Sequence, residues 1–248
     1  MAGHSKFKNI QFRKDRQDKI RSKLFSKLSR DITLAAKAGG GDPNGNSRLR
    51  LAIANAKAES MPRDNIERAI KKATSGDADN MEEIRYEGFG PGGVGLIVEV
   101  LTDNRNRAAA NVRTIFGKNG GNLGETNTVA FMFDRVGQIS YKAAAASEDA
   151  MMDAAIEAGA EDVASDADGH VITTAFESLS EVAHALEQSL GSPGSAEVVW
   201  KPKTSTPITG DAVASLIKLL DALDDDDDVQ TVFGNYEIDE QELEKLAG

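Results

Sequence analysis

Cationic side chains alternate with aromatic rings close to the first residue of the chain, a combination that can engage nucleic acid. Ammonium and guanidinium groups neutralise backbone phosphates, and aromatic rings stack on unpaired bases. The side chains concerned are Lys6, Phe7, Lys8, Phe12, Arg13 and Lys14. We predict that this basic arm contacts nucleic acid. In the alternative interpretation, Phe7 and Phe12 only pack as a hydrophobic staple at the first helix. The arm then keeps its charge but does not stack on bases.

Two motifs further along the chain are candidate surfaces for the same partner. EGFGPGG, residues 87–93, surrounds Phe89 with four glycines and predicts a loop whose backbone approaches a partner closely while the ring stacks on a base. A tight turn is the alternative explanation of its glycines. TDNRNR, residues 102–107, carries Arg105 and Arg107 into a helix N-terminus, where free N–H groups and guanidinium groups bind phosphate. Simple solvation of the two arginines is the alternative there.

Residues that could catalyse a reaction are sparse. The three histidines, His4, His170 and His184, lie far apart and none has the spacing of a metal ligand, so we expect the last two to be internally satisfied or solvent-facing. The absence of cysteine excludes thiol nucleophiles, disulfides and cysteine-ligated metal sites. The acidic run Asp224–Asp228 could serve a magnesium-dependent nuclease, but adjacent carboxylates point in different directions, so we predict a solvated loop. We expect no enzymatic activity, no metal and no cofactor.

The formal net charge of −11 conceals an uneven distribution of charge. From Met1 to Thr74 there are 18 Lys and Arg against 7 Asp and Glu, whereas the remaining residues have 11 against 33. This division predicts that one end meets a polyanion while the other keeps the protein soluble. The alternative is that the two ends attract each other within the fold or in a dimer. No long apolar run is present and the start MAGHSKFKNI is polar, so we expect a cytoplasmic protein with no membrane contact.

The elements that must position these residues begin with helices. Between residues 12 and 37, the apolar positions recur every three or four residues and predict a long helix with a basic opposite face that includes Lys23, Lys27 and Arg30. Three consecutive glycines from Gly39 end it. A second helix is predicted over 47–58 with Ser47 as its cap, and a third from Pro62.

The hydrophobic period then changes to that of an α+β region. We predict strands at 94–101 and 129–133 around a helix at 106–118. The segment that follows has the β-α-β-β-α-β order of a ferredoxin-like unit. Its predicted elements are a strand at 138–141, a helix at 147–158, strands at 161–164 and 171–174, a helix at 178–190 and a strand at 196–201. A last helix at 210–223 and strand at 229–233 are predicted to return to the earlier sheet.

The sequence therefore predicts an α+β protein of three domains. These are a basic helical domain (1–75), a middle ferredoxin-like α/β domain (82–134 plus 206–238) and a second ferredoxin-like domain (135–203) inserted into the middle one. The count of elements is the basis for the insertion.

Several long motifs of this chain resemble those of the YebC-like family. They are MAGHSKF, Arg13-Lys14, GGGDP, RLRLAIANAKAESMPRDNIERAIKKA, YEGFGPGG, LTDNRNR and GGNLG. The resemblance implies a helical N-terminal domain followed by two α/β domains. The basic residues that match the family pattern are Lys6, Arg13, Lys14, Lys23, Lys27, Arg30, Arg48 and Arg50. Phe7 stands where the family usually has tryptophan, Phe12 where histidine is common, and Ser47 where proline is frequent.

What the resemblance implies about function is not uniform. Some members are described as DNA-binding transcriptional regulators, and others as ribosome-associated factors or mitochondrial translational activators. Both roles involve nucleic acid. We expect a non-enzymatic nucleic-acid-binding regulator, with ribosomal or transfer RNA on the ribosome favoured as partner, promoter DNA as the alternative, and a ligand-sensing ferredoxin-like module as a further alternative. A monomer is favoured.

Overall fold

The computed structural model describes residues 17–75, 81–239 and 242 of the chain. The predicted basic arm, with Lys6, Phe7, Lys8, Arg13 and Lys14, lies outside the described residues. The helices are α1 (Gln17–Gly39), α2 (Ser47–Ala58), α3 (Arg63–Thr74), α4 (Arg105–Lys118), α5 (Glu148–Ala158), α6 (Leu179–Leu190) and α7 (Asp211–Asp224). The strands are β1 (Glu82–Phe89), β2 (Gly95–Thr102), β3 (Asn122–Leu123), β4 (Phe133–Lys142), β5 (Asp162–Ser165), β6 (Gly169–Ala175), β7 (Ser195–Pro202), β8 (Thr206–Ile208), β9 (Val229–Gly234) and β10 (Tyr236–Ile238). This mixture of helices and sheets confirms the α+β class.

These elements form two compact units. One comprises Met1–Leu24, Asn80–Asp134 and Trp200–Gly248, and the other comprises Phe25–Asp79 and Arg135–Val199. Each unit is therefore assembled from segments that are distant in sequence. The division into three domains with the predicted boundaries stays a prediction.

The first unit contains a four-stranded sheet in the order β3-β1-β2-β9. β1 pairs antiparallel with β2 and β3, and β9 pairs antiparallel with β2. β9 thus returns to the sheet that β1 and β2 begin, as predicted. Its core consists of β2 together with α4 and α7, and includes Leu96, Val98, Phe116, Leu216 and Leu219. β8 and β10 form a separate parallel pair.

Two stretches of this unit differ from the sequence-based expectation. Residues 82–89 form β1, although the sequence analysis assigns no strand there. Residues 129–133 do not form the predicted strand, because Ala130–Met132 is a turn of 3₁₀ helix and β4 begins only at Phe133. The physical reason is the buried Glu87 carboxylate, which accepts the backbone N–H groups of Val129 and Ala130 and so removes them from strand pairing.

The second unit contains the ferredoxin-like β-α-β-β-α-β element order, from β4 to β7. Its sheet has the strand order β5-β6-β4-β7. α5 and α6 cover one face of the sheet and bury Ile139, Met151, Ile172 and Leu186. The boundaries of these elements lie within a few residues of those predicted, except that β4 begins earlier.

A buried asparagine organises the turn between α1 and α2. Asn46 Nδ2 donates to the Ala35 carbonyl at 2.7 Å and to the Gly40 carbonyl at 2.8 Å, while its Oδ1 accepts from the Leu49 N–H at 3.1 Å. One carboxamide therefore satisfies orphan groups at the end of α1 and at the start of α2. The prediction that Ser47 caps α2 is wrong, since Asn46 occupies that position.

Another asparagine joins α2 to the ferredoxin-like sheet within the second unit. Asn55 Nδ2 donates to the Ala196 carbonyl at 2.8 Å, and Asn55 Oδ1 accepts from the Ala196 N–H at 3.0 Å. β7 is an edge strand, so this side chain makes the two bonds that a neighbouring strand would make. Leu51 of the same helix packs against the core of the sheet. Within the described residues, the helices are too short or too polar to cross a bilayer.

Candidate nucleic-acid interface

The predicted cations of α1 are less exposed than an idealised basic face would be. Lys23 is half-buried, and its Nζ lies 3.2 Å from Oδ1 of Asp225, which belongs to the acidic run. Lys27 and Arg30 are also half-buried. A phosphate would therefore have to displace a carboxylate to reach Lys23.

The helices α2 and α3 carry cations that are better placed to meet an anion. Arg48 is exposed and Arg50 half-buried on α2. The side chains of Arg50, Lys57 and Lys72 have no hydrogen bond or ion pair with other described residues. Arg50 and Lys57 are seven residues apart, which places them on one face of α2. Lys57 and Lys72 are not distinguished by the sequence pattern, because a lysine on a helix surface is usually only solvated.

Phe89 does not have the exposed position that the sequence analysis gave it. It is half-buried and packs against the cluster formed by Ile97, Val129 and Phe133. The expectation that Phe89 is exposed is therefore wrong, and its contact with nucleic acid stays a prediction. Phe89 is the last residue of β1 and faces a hydrophobic core. The prediction of a single loop over residues 87–93 does not include this strand.

The glycines of this motif are explained largely by packing within the protein. A Cβ on Gly88 would lie 2.6 Å from the Asn122 carbonyl oxygen and 2.8 Å from the Phe116 ring. Gly92 adopts φ +76°, and a Cβ there would lie 2.7 Å from Ile208. A Cβ on Gly88 would clash with backbone that cannot yield, and the positive φ of Gly92 strains any L side chain. The tight-turn alternative therefore accounts for these two glycines.

The two arginines of TDNRNR have different surroundings. The Arg107 guanidinium lies 2.9 Å from Asp228 Oδ2 and 2.9 Å from Asp103 Oδ1. Hydrogen bonds to these carboxylates, first of all to Asp228, raise the pKa of Arg107. Arg105 is exposed, and its guanidinium makes no hydrogen bond or ion pair with another described residue. Arg105 is therefore the arginine of this motif that is available to a phosphate.

The same contacts show that the acidic run is not uniformly solvated. Asp228 is buried and accepts from the Thr102 hydroxyl at 3.0 Å as well as from Arg107. Asp226 accepts from Asn111 Nδ2 at 3.1 Å. The prediction of a solvated loop is wrong for Asp228, because its partners come from residues more than 120 positions away in the sequence.

A buried carboxylate that the sequence analysis missed organises a neighbouring turn. The Glu87 side chain is fully buried and accepts the N–H groups of Asn127 at 3.0 Å, Val129 at 2.9 Å and Ala130 at 2.8 Å. Arg85 Nε lies 3.0 Å from its Oε1. Burial raises the pKa of Glu87, but the three hydrogen bonds and the Arg85 charge outweigh this effect, so the pKa lies below its ordinary value.

This turn presents an aromatic ring to solvent. Phe131 follows Ala130 directly, and 70% of its surface is exposed. The Arg85 side chain lies beside the turn, since its Nη2 donates to Asn127 Oδ1 at 3.2 Å and its guanidinium stacks 4.8 Å from the Trp200 ring centroid. The sequence signal for this turn was a glutamate within a strand and an apolar run about forty residues later. The sequence alone does not show that the two are in contact.

The remaining candidate groups for catalysis are engaged in the structure or are solvent-exposed. His170 is buried, with Nδ1 2.7 Å from the Ser165 hydroxyl and Nε2 3.1 Å from the Ala146 carbonyl oxygen, so both ring nitrogens are satisfied. His184 is exposed on α6. In the part of the chain that the structure describes, no three His, Asp or Glu side chains converge as metal ligands would.

Comparison with known proteins gives matches along nearly the whole chain. Residues 5–76 match the family described as the TACO1/YebC protein N-terminal domain. Residues 81–236 match the family described as Transcrip_reg, the TACO1/YebC second and third domain. The crystal structure of a conserved hypothetical protein, Aq1575 from Aquifex aeolicus, is similar at 45% sequence identity and a TM-score of 0.81. That similarity covers 89% of this chain and 91% of the Aquifex chain.

Proposed function

Since this chain belongs to the TACO1/YebC family, we propose that it is a non-enzymatic regulator of gene expression that binds ribosomal or transfer RNA in the cytoplasm as a monomer. The observation that carries this proposal is the excess of positive charge in the first 74 residues, set against an acidic remainder. A polyanionic partner is the chemistry that such a segment fits.

The described residues supply specific cations for that contact. Arg50, Lys57 and Lys72 have no partners among the described residues. In the other unit, Arg105 is a separate exposed guanidinium. Cations without an internal carboxylate lose no ion pair when they bind a phosphate. Lys23 has to exchange Asp225 for a phosphate, so its contribution is smaller.

RNA is favoured over duplex DNA because of the surface of α3. α2 and α3 are joined by residues 59–62, a connection of helix-turn-helix length, so α3 occupies the position of a recognition helix. Its first two turns, however, expose Asp64 and Glu67, and Arg63 is paired with Glu67 at 2.6 Å. In a major groove, the N-terminal residues of a recognition helix enter between two phosphate backbones, so Asp64 and Glu67 would oppose entry, whereas Lys72 in the last turn stays available to a phosphate outside a groove. The Transcrip_reg description of the second family match supports the alternative, a DNA-binding transcriptional regulator.

Sequencing of nucleic acid cross-linked to the protein in cells tests the proposal. One variant carries glutamine at Arg50, Lys57 and Lys72, and its matched control keeps the charge with Arg50→Lys, Lys57→Arg and Lys72→Arg. A second variant neutralises Lys6, Arg13, Lys14, Lys23 and Lys27. We expect ribosomal or transfer RNA with the wild type and the control, and much less with either neutralised protein.

Other outcomes would favour the alternatives. Recovery of discrete promoter DNA would make the protein a transcriptional regulator. Recovery of no nucleic acid would favour a ligand-sensing ferredoxin-like module. Cleavage of labelled RNA in the presence of magnesium, lost in Asp226→Ala with Asp227→Ala, would establish a nuclease; that outcome is disfavoured by the engagement of Asp226 with Asn111 and of Asp228 with Arg107.

A further inference from the structure

Three large hydrophobic side chains are exposed among the described residues: Phe131, Met152 and Ile156. The last two share one face of α5, whereas Phe131 stands alone on the turn that the Glu87 carboxylate organises. An isolated exposed aliphatic residue needs no explanation. An isolated phenyl ring on a turn that is fixed from several sides suggests a contact that uses the ring.

The backbone on both sides of Phe131 is held in place. The Ala130 N–H and the Val129 N–H both donate to Glu87, as described above, and the Met132 N–H donates to the Val129 carbonyl at 2.9 Å. On the other side, the Lys203 N–H donates to the Met132 carbonyl at 2.9 Å. A ring presented on a fixed backbone loses little conformational entropy when it binds.

The groups around the ring fit a nucleotide better than an apolar protein groove. The Arg85 side chain is 31% exposed, and its Nη2 donates to Asn127, while Nε forms an ion pair with Glu87 at 3.0 Å without hydrogen-bond geometry. The Nη1 N–H groups donate to no described residue and remain for a further acceptor. The Lys203 side chain is half exposed, and its Nζ forms a surface ion pair with Asp134 at 3.2 Å, which is weak and exchangeable. A docking site for protein would need a contiguous apolar patch, and no other large exposed apolar side chain is described in this unit.

We propose that Phe131 stacks on an unpaired base of single-stranded RNA while Arg85 and Lys203 contact the adjoining phosphates. This inference rests on the proposed function, since it names a second surface for the same RNA. Every base has a π-face, so the contact favours unpaired over paired RNA without selecting a sequence. Glu87 acts here as a positioning residue, because it touches the turn and not the base.

The test uses the full-length protein and a single-stranded RNA that contains 2-aminopurine, whose fluorescence falls when the base stacks. Dissociation constants come from the anisotropy of a labelled copy of the same RNA. We expect Phe131→Ala to weaken binding about 5- to 150-fold, the range for loss of one aromatic–base stack, and to abolish the fluorescence change. Phe131→Tyr should keep both, and Phe131→Leu should behave like Phe131→Ala.

The matched control is Ile156→Ala, which truncates a side chain of nearly equal exposure (67%) on α5 and should leave binding unchanged. Unaltered thermal unfolding would show that Phe131→Ala keeps the fold. Wild-type binding that survives in Phe131→Ala, or that Phe131→Leu fully retains, would overturn the stacking inference and leave the proposed function standing. A wild-type protein that binds neither this RNA nor ribosomal or transfer RNA would overturn both.

Discussion

Glu87 illustrates how a single residue can organise a surface that lies far from it in sequence. A buried carboxylate is costly unless hydrogen bonds and an opposite charge compensate, and here three N–H groups and Arg85 do so. We predict that Glu87→Gln lowers the free energy of unfolding by about 1–3 kcal/mol at pH 7, because the amide cannot accept all of these bonds. Urea unfolding monitored by circular dichroism measures this change.

The direction of the pKa shift of Glu87 predicts how the destabilisation by Glu87→Gln depends on pH. Because the folded-state pKa lies below the unfolded value, the stabilisation is present above an unfolded pKa of about 4.3 and is lost as the pH falls through the folded-state pKa. The difference in stability between wild type and Glu87→Gln should therefore shrink as the solution is acidified below about pH 4.3. Glu82→Gln, at an exposed position on the same strand, should match the wild type throughout. A constant difference at all pH values would contradict the role of ionised Glu87.

The two arginines of the TDNRNR motif should separate stability from binding. Arg107→Ala removes the charge that compensates the buried Asp228, so we expect a lower melting temperature. Arg105→Ala removes an exposed cation that pairs with no carboxylate among the described residues, so we expect an unchanged melting temperature and a salt dependence of RNA binding that is shallower by about one phosphate contact. Equal effects of both variants on stability would contradict these assignments.

At the scale of elements, Asn55 is the side chain that joins α2 to the edge strand β7, and we expect its loss to lower stability. Its carboxamide makes both hydrogen bonds with Ala196 at the edge of β7. We predict that Asn55→Ala costs about 1–3 kcal/mol of unfolding free energy, since two backbone groups lose their partner. Amide hydrogen exchange at Ala196 should accelerate. Asn106→Ala, on an exposed first turn of α4, is the matched control and should change neither quantity.

Long periodic elements were predictable, whereas elements governed by distant partners were not. α1, α5, α6 and α7 follow from helical periodicity because a single amphipathic face decides their structure. The apolar run from Val129 to Phe133 was assigned to a strand because its composition fits one equally well, and only the bonds to Glu87 make it a turn. β1 was missed because a buried glutamate and a glycine interrupt its alternation of apolar and polar residues.

The candidate site was likewise predictable only where neighbouring residues in the sequence determine it. The positive charge in the first 74 residues can be counted from the sequence. The exposed position of Arg105 at the start of a helix can also be predicted from it. The pairing of Arg107 with Asp228 cannot, because the two residues are 121 positions apart. Phe131 escaped notice because an aromatic residue within an apolar run is usually buried.

For the whole molecule, the uneven charge has two interpretations with different consequences for salt. If the first 74 residues bind RNA, salt weakens the complex, and log Kd rises with log salt concentration by about 0.7 per phosphate contacted in a single strand. Changing Arg50, Lys57 and Lys72 to glutamine should therefore reduce that slope by about two. Fluorescence anisotropy at several salt concentrations measures the slope, and the charge-preserving triple variant is the control.

The Lys23–Asp225 pair allows the two interpretations to be compared in one experiment. Asp225 competes with phosphate for Lys23, so we predict that Asp225→Asn tightens RNA binding at low salt and that the gain disappears at high salt, where exposed ion pairs are screened. Glu237→Gln, at an exposed position of the same unit, changes the net charge equally and controls for the long-range field. A gain restricted to Asp225→Asn would mean that the acidic run tunes affinity through this contact. Equal gains would assign the effect to net charge, and unchanged binding in both would show that Lys23 does not meet the RNA.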